Sequence, residues 1–147
     1  MARKTVKMAT LDTSFRKAVH EQYDYICAFD DCEYCGNHSF RYNGQIECAH
    51  YYNRYRSSGR WHPDNCAALC HDQHMFLEHN KALEVNFFAK LLGETRHDML
   101  IERHQGVYRY KPWERWEMNQ HYRAQRVKME KQRANGGSGY LVLTPWD

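Results

Sequence analysis

The sequence predicts an α+β fold: a ββα unit clipped at two cysteine-bearing corners, with a helix before it and a helical extension behind it. Three observations predict this. All six cysteines of the 147-residue chain fall between residues 27 and 70. Inside that window an Asn-Gly dipeptide signals a hairpin turn and two short apolar runs read as strands. Outside it the long unbroken stretches are rich in helix formers. The chain divides on this reading into an N-terminal arm and helix (1–26), a clipped core (27–80), a basic helical extension (81–134), and a Gly-rich linker with an apolar tail (135–147).

Taken in order, residues 1–10 are basic and unpatterned and read as a loose arm. Asp12 or Thr13 can cap a helix that runs to about Tyr23, with Phe15, Val19 and Tyr23 on one face. Cys32-Glu-Tyr-Cys35-Gly36 is a turn, with a glycine where the backbone must curl around two thiols. From Phe40 the pattern is β: Asn43-Gly44 signals a hairpin, and Gln45–Tyr52 reads as a strand. The stretch 53–60 is a basic loop, Pro63-Asp64-Asn65 a turn, and Cys66–Leu69 a second strand. A helix should follow from His71 to about Asn80. Ala82–Leu92 is amphipathic through Leu83, Phe87 and Leu91, joined by Phe88 and Leu92, and Gly93 stops it. Thr95–His104 reads as a short helix. Pro112 opens a long one through Arg133, whose poor apolar spacing predicts a mostly solvent-exposed basic rod. Residues 135–139 are a flexible linker, and the tail 140–147 is an edge strand or a peptide that docks on a protein partner.

The bulk numbers narrow the function classes. Net charge is only +3, and mean hydropathy is −0.92. Between Arg103 and Arg133, however, nine basic residues face three acidic ones, a local +6. No stretch approaches the roughly 20 apolar residues of a membrane span. The opening Met-Ala-Arg-Lys-Thr-Val-Lys has no apolar run of the kind a secretory leader needs. Clustered cysteines without a leader point to a reduced cytoplasmic compartment and to metal rather than disulfides.

Structural Zn²⁺ wants four N or S ligands in a tetrahedron. Cys32, Cys35 and Cys70 supply three, and Gln73 occupies the position where a second CxxC pair would end. His74, one residue on, is the candidate fourth ligand, with His71, Cys66 and Cys27 as alternatives. Between these corners lie His50 and Asn65, in an order that phosphodiester hydrolysis can use. A strand histidine takes a proton from water, and an asparagine pins the loop that orients it. Glu47, three residues before His50, can reach a catalytic Mg²⁺ or Mn²⁺. Arg54, Arg56 and Arg60, with Tyr51, Tyr52 and Tyr55, sit where guanidinium and phenol groups would grip phosphates. Arg123 and Arg126 on the long helix could track a DNA backbone without reading sequence.

Cys32-Glu-Tyr-Cys35-Gly36, Glu47-Cys-Ala-His50-Tyr51 and Asn65-Cys-Ala-Ala-Leu-Cys70 together resemble the HNH, or ββα-metal, endonucleases. The nearer likeness is to the NinG/Rap recombination nucleases of lambdoid phages, over residues 27–80 and loosely to 133. The resemblance implies a zinc-pinned ββα-metal unit and metal-dependent cutting of branched DNA, such as displacement loops and Holliday-type junctions. It also implies the cytoplasm of a phage-infected bacterium. Two positions depart from the pattern. Ala49 stands where many HNH enzymes carry Asp, which moves the carboxylate role to Glu47. Gln73 stands where the family has Cys; if His74 completes the zinc site, Glu78 or His79 must serve the catalytic metal instead.

Two other functions fit the same residues: a zinc-dependent nucleic-acid-binding module without catalysis, and a sequence-directed homing or defence nuclease. A homodimer would suit two-strand cutting, but no segment shows a clean heptad, so oligomeric state stays open.

Overall fold

The computed structural model describes residues 2–54 and 57–147. Helix α1 is Met8–Gln22 and strand β1 is Ile46–His50. A single turn, α2 (Ser57–Arg60), and a 3₁₀ turn, Pro63–Asn65, lead into β2 (Cys66–Cys70). Then come α3 (His71–Glu78), α4 (Lys81–Leu92), α5 (Glu94–Gln105) and the long α6 (Pro112–Ala134). β1 and β2 form a two-stranded antiparallel sheet, with Ile46 opposite Cys70 and His50 opposite Cys66. The chain is therefore α+β, with β1, β2 and α3 grouped around the cysteine window. Among the described residues no helix is long and apolar enough to cross a membrane.

α1 begins at Met8, earlier than Asp12 or Thr13, and without a side-chain cap. Asp12 is not free to cap: its carboxylate holds the Arg60 guanidinium at 3.0 and 2.6 Å and the Trp61 indole at 2.8 Å. The helix closes in a Schellman turn, Tyr25 N–H to His20 carbonyl and Asp24 N–H to Glu21 carbonyl, with Asp24 in the left-handed region. The hairpin expected around Asn43-Gly44 does not form. Gly44 donates its N–H back to Phe40 in a tight turn, and β1 pairs instead with β2 across residues 51–65. The bridge before Gly44 is a single one, Ile26 with Ser39.

α6 also departs from expectation. Met118, Asn119, Tyr122 and Met129 are buried, and the helix packs along α1. Met118, Tyr122 and Met129 lie four and seven residues apart, which is a stripe on one helical face. The arm 2–7 is not loose against it: Arg3 lies over Trp113 and Lys4 over Trp116. α4 buries Glu84, Phe88 and Leu92 rather than the Leu83 face, and Leu83 is exposed.

Two apolar clusters result. The first joins α1 (Leu11, Phe15, Ala18, Val19) to α6 (Met118, Tyr122, Met129), with Trp61, Tyr110, Cys66 and Leu143. The second gathers Cys27, Cys32, Phe40, Ile46, Ala49, Ala67, Ala68, Leu69, Cys70, Leu77 and Phe88. The tail adds no strand to the sheet. Leu141 N–H bonds to the Gln22 carbonyl, Leu143 is buried, and Asp147 receives Arg103 and the Tyr110 hydroxyl. The tail packs against its own chain. Residues of α1, of α6 and of the tail thus share one core, while α4 packs into the other.

Candidate functional site

Two groups of side chains lie beside the sheet's short strands. At the Cys70 end, the sulfurs of Cys27, Cys32, Cys35 and Cys70 all lie within 4.8 Å of one another. Cys32 Sγ and Cys70 Sγ are 3.7 Å apart. A tetrahedral zinc with Zn–S bonds near 2.3 Å puts neighbouring sulfurs about 3.8 Å apart, so this soft donor set fits Zn²⁺.

Local sequence explains the convergence. Gly36, with φ +63°, lets its N–H return to the Cys32 carbonyl at 3.0 Å. Asn37, also left-handed, donates to the carbonyls of Cys27 and Phe29 and accepts from the Cys32 N–H at 2.8 Å. One side chain therefore fastens both arms of the knuckle. The Ala28 N–H bonds to the Ala68 carbonyl at 2.7 Å and draws the Cys27 arm beside β2.

Cys27 thus takes the fourth position expected of His74. The reason is helical rotation. Cys70, Gln73 and Leu77 line one face of α3, toward the sulfurs and the core. His71 and His74 face the other way, toward Glu47. Burial lifts the Cys27 thiol well up and the Cys70 thiol to about 11. Cys32 goes the other way: burial opposes its ionisation, but the backbone N–H groups of Cys35 and Tyr34 outweigh it. It is better prepared to meet a cation than Cys27 or Cys70.

Along β1, a cavity of about 710 Å³ opens onto His50, Glu47, His74, Glu78 and Arg54. His50 Nε2 lies 3.0 Å from the Arg60 carbonyl. A carbonyl only accepts, so Nε2 carries the proton and Nδ1 keeps its lone pair. Burial lowers the imidazole's pKa, and the nearby Arg54 and Arg60 charges add to the shift, against the Arg60 hydrogen bond and Asp12.

Asn65, fully buried, accepts the Tyr52 N–H at 2.8 Å and donates to the carbonyls of Tyr52 (3.0 Å) and Gly59 (3.1 Å). It ties together both ends of the connection that carries Arg60. Glu47 meets His74 Nδ1 at 2.8 Å and His71 Nδ1 at 3.0 Å. Burial alone would raise its carboxyl; the two histidines hold it below the usual range.

The expected phosphate grips divide. Arg54 is exposed and lines the cavity, whereas the Arg60 guanidinium is committed to Asp12 and works through its carbonyl. Arg56 and Tyr55 lie outside the described residues. Tyr51 is stacked between Tyr52 and Phe88, with its hydroxyl 3.2 Å from His97 Nε2. Arg123 and Arg126 sit on α6 and are not among the residues lining the cavity. Sequence reasoning missed Arg16, Lys17 and His20 of α1, which line it too. His20 is buried with Nε2 unpartnered, and burial depresses its pKa to about 4. Their helical spacing was legible; that α1 crosses the β1 end of the site was not.

No family model, curated protein or solved structure matches the chain.

Proposed function

We propose that the chain is a metal-dependent DNA endonuclease of the HNH type, acting on branched recombination intermediates. One observation carries this reading: a neutral strand histidine whose Nε2 is tethered to a carbonyl, leaving Nδ1 for a proton, in a cavity shared with a carboxylate and basic side chains. His50 is the general base. It takes a proton from water; that oxygen bonds to phosphorus, and the bridging P–O bond breaks. Asn65 is a positioning residue, acting through the loop that presents the Arg60 carbonyl. Arg16, Lys17 and Arg54 bind the phosphates.

Glu47, with His74 or Glu78 of α3, would hold Mg²⁺ or Mn²⁺, and carboxylate oxygens suit these hard ions. Bound there, the ion would stabilise the charge on the leaving oxygen. The four-cysteine group holds structural Zn²⁺. The preference for branched DNA rests on the resemblance of residues 27–80 to the NinG/Rap nucleases.

Incubation with four-way junction and linear DNA, with Mg²⁺ or Mn²⁺ or with chelator, tests the reading. Junction cleavage that needs the metal is expected, and His50→Ala should slow it by about 10²–10⁴-fold. Binding without cleavage under any divalent ion would instead leave a zinc-pinned nucleic-acid-binding module.

A further inference from the structure

We infer that Cys48, His50 and Cys66 form a second metal site, selective for a soft divalent ion such as Zn²⁺, whose occupation takes the lone pair that His50 needs as a base. The inhibitory consequence rests on the nuclease reading; the site itself does not.

The three ligand atoms lie within 4.8 Å of one another, and the set shares no residue with the four-cysteine group. The strand ladder builds it. Cys48 and His50 are two apart on β1 and so point to the same face, and Cys66 is directly opposite His50. These positions are fixed by backbone pairing rather than by a mobile loop.

Two sulfurs and one nitrogen make three corners of a tetrahedron and leave the fourth for water. Cys66 is 1% exposed, but Cys48 and His50 both line the cavity, which gives an ion its way in. With Nε2 committed to the Arg60 carbonyl, Nδ1 is the nitrogen left for either a metal or a proton. The two uses exclude each other. Thiolate ligands favour Zn²⁺ over the hard Mg²⁺. The same cavity would therefore discriminate between an ion that supports cutting, at Glu47, and one that stops it, at Cys48.

Titration of the reduced full chain with Co²⁺, read by thiolate-to-cobalt charge-transfer absorption, tests the site without any DNA. Wild type should take up two equivalents, each adding to the band. Cys48→Ala should keep the first and lose the second; Cys35→Ala should lose the four-cysteine equivalent instead. A single equivalent in wild type, or two in Cys48→Ala, overturns the proposal. Retention of the first equivalent shows that Cys48→Ala is folded; if it is lost, Cys48→Ser, closer in volume, takes its place. In a Mg²⁺-supported cleavage assay, Zn²⁺ beyond one equivalent should suppress wild type and lose that effect in the Cys48 variant. If no DNA is cut at all, the nuclease reading fails while the titration still decides the site.

Discussion

On the proposed nuclease reading His50 is the general base, and its environment would set the pH at which it works. Its ring is half-buried near Phe15, at the end of β1, with a carbonyl on Nε2. Burial penalises the imidazolium most, and Arg54 and Arg60 repel it further. The folded-state pKa is thus below the ordinary 6.5, and the ring gives up its proton at a lower pH than a free histidine. A base is active when deprotonated, so the acid limb of kcat/KM against pH should lie below 6.5. A limb at or above that value would show that His50 is not the base or that its surroundings are more open. The same shift has a stability sign. Between the depressed pKa and 6.5 the unfolded chain binds protons that the folded chain refuses, so stability falls as pH drops through that window. His20, at about 4 through burial and Arg16, adds to the loss.

Among the elements, the knuckle between Cys27 and Asn37 depends on one side chain that no cysteine count reveals. Asn37 spans from the Cys27 and Phe29 carbonyls to the Cys32 N–H, from a left-handed backbone that asparagine tolerates. Asn37→Ala should lose all three bonds and strain the backbone, destabilising the fold by about 2–4 kcal/mol and weakening zinc retention. Asn37→Asp, which keeps the acceptor but not the donors, should fall between. Urea unfolding and chelator competition measure the two effects; a variant that holds zinc as tightly as wild type would mean that the sulfurs alone shape the site. What was legible in the sequence at this scale followed from local chemistry: the Gly36 turn, both strand runs, the start of α3 at His71, and the end of α4 at Gly93. What was not legible depended on partners distant in sequence. Asn43-Gly44 has the composition of a hairpin turn, but the strand for β1 lies beyond residue 65. α6 read as a solvated rod because its apolar residues are thinly spaced, and α1 supplies the partner face. Three of the four clustered sulfurs were legible as ligands, and Cys27 only as one alternative among several for the fourth. The fourth needed the backbone bond from Ala28 to Ala68, which nothing in the spacing of Cys27 announces.

At the scale of the whole molecule, two apolar clusters share a sheet that is too small to be stable alone. They are held in different ways. The α1–α6 cluster has long helices and a buried ion network: the Glu21 carboxylate, 2% exposed, receives Arg41 at 3.0 and 2.9 Å and Arg133 at 2.8 Å. The four-cysteine group lies outside that cluster. The second cluster has short elements, small residues at Ala49, Ala67 and Ala68, and irregular chain from Tyr23 to Gln45, and its cysteines lie within its own core. A zinc ion there would close the Cys27–Cys70 loop and contribute directly to folding. Metal removal should therefore act unevenly. A strong chelator, under reducing conditions, should speed amide hydrogen exchange in residues 26–50 and 66–78 far more than in α1 and α6. Emission from Trp61 and Trp146, both packed with the first cluster, should change little. Uniform acceleration along the chain would mean that the clusters fold as one cooperative unit through the sheet and the Arg41–Glu21 pair. Exchange unaffected by chelator would mean that the four thiols need no ion to stay together.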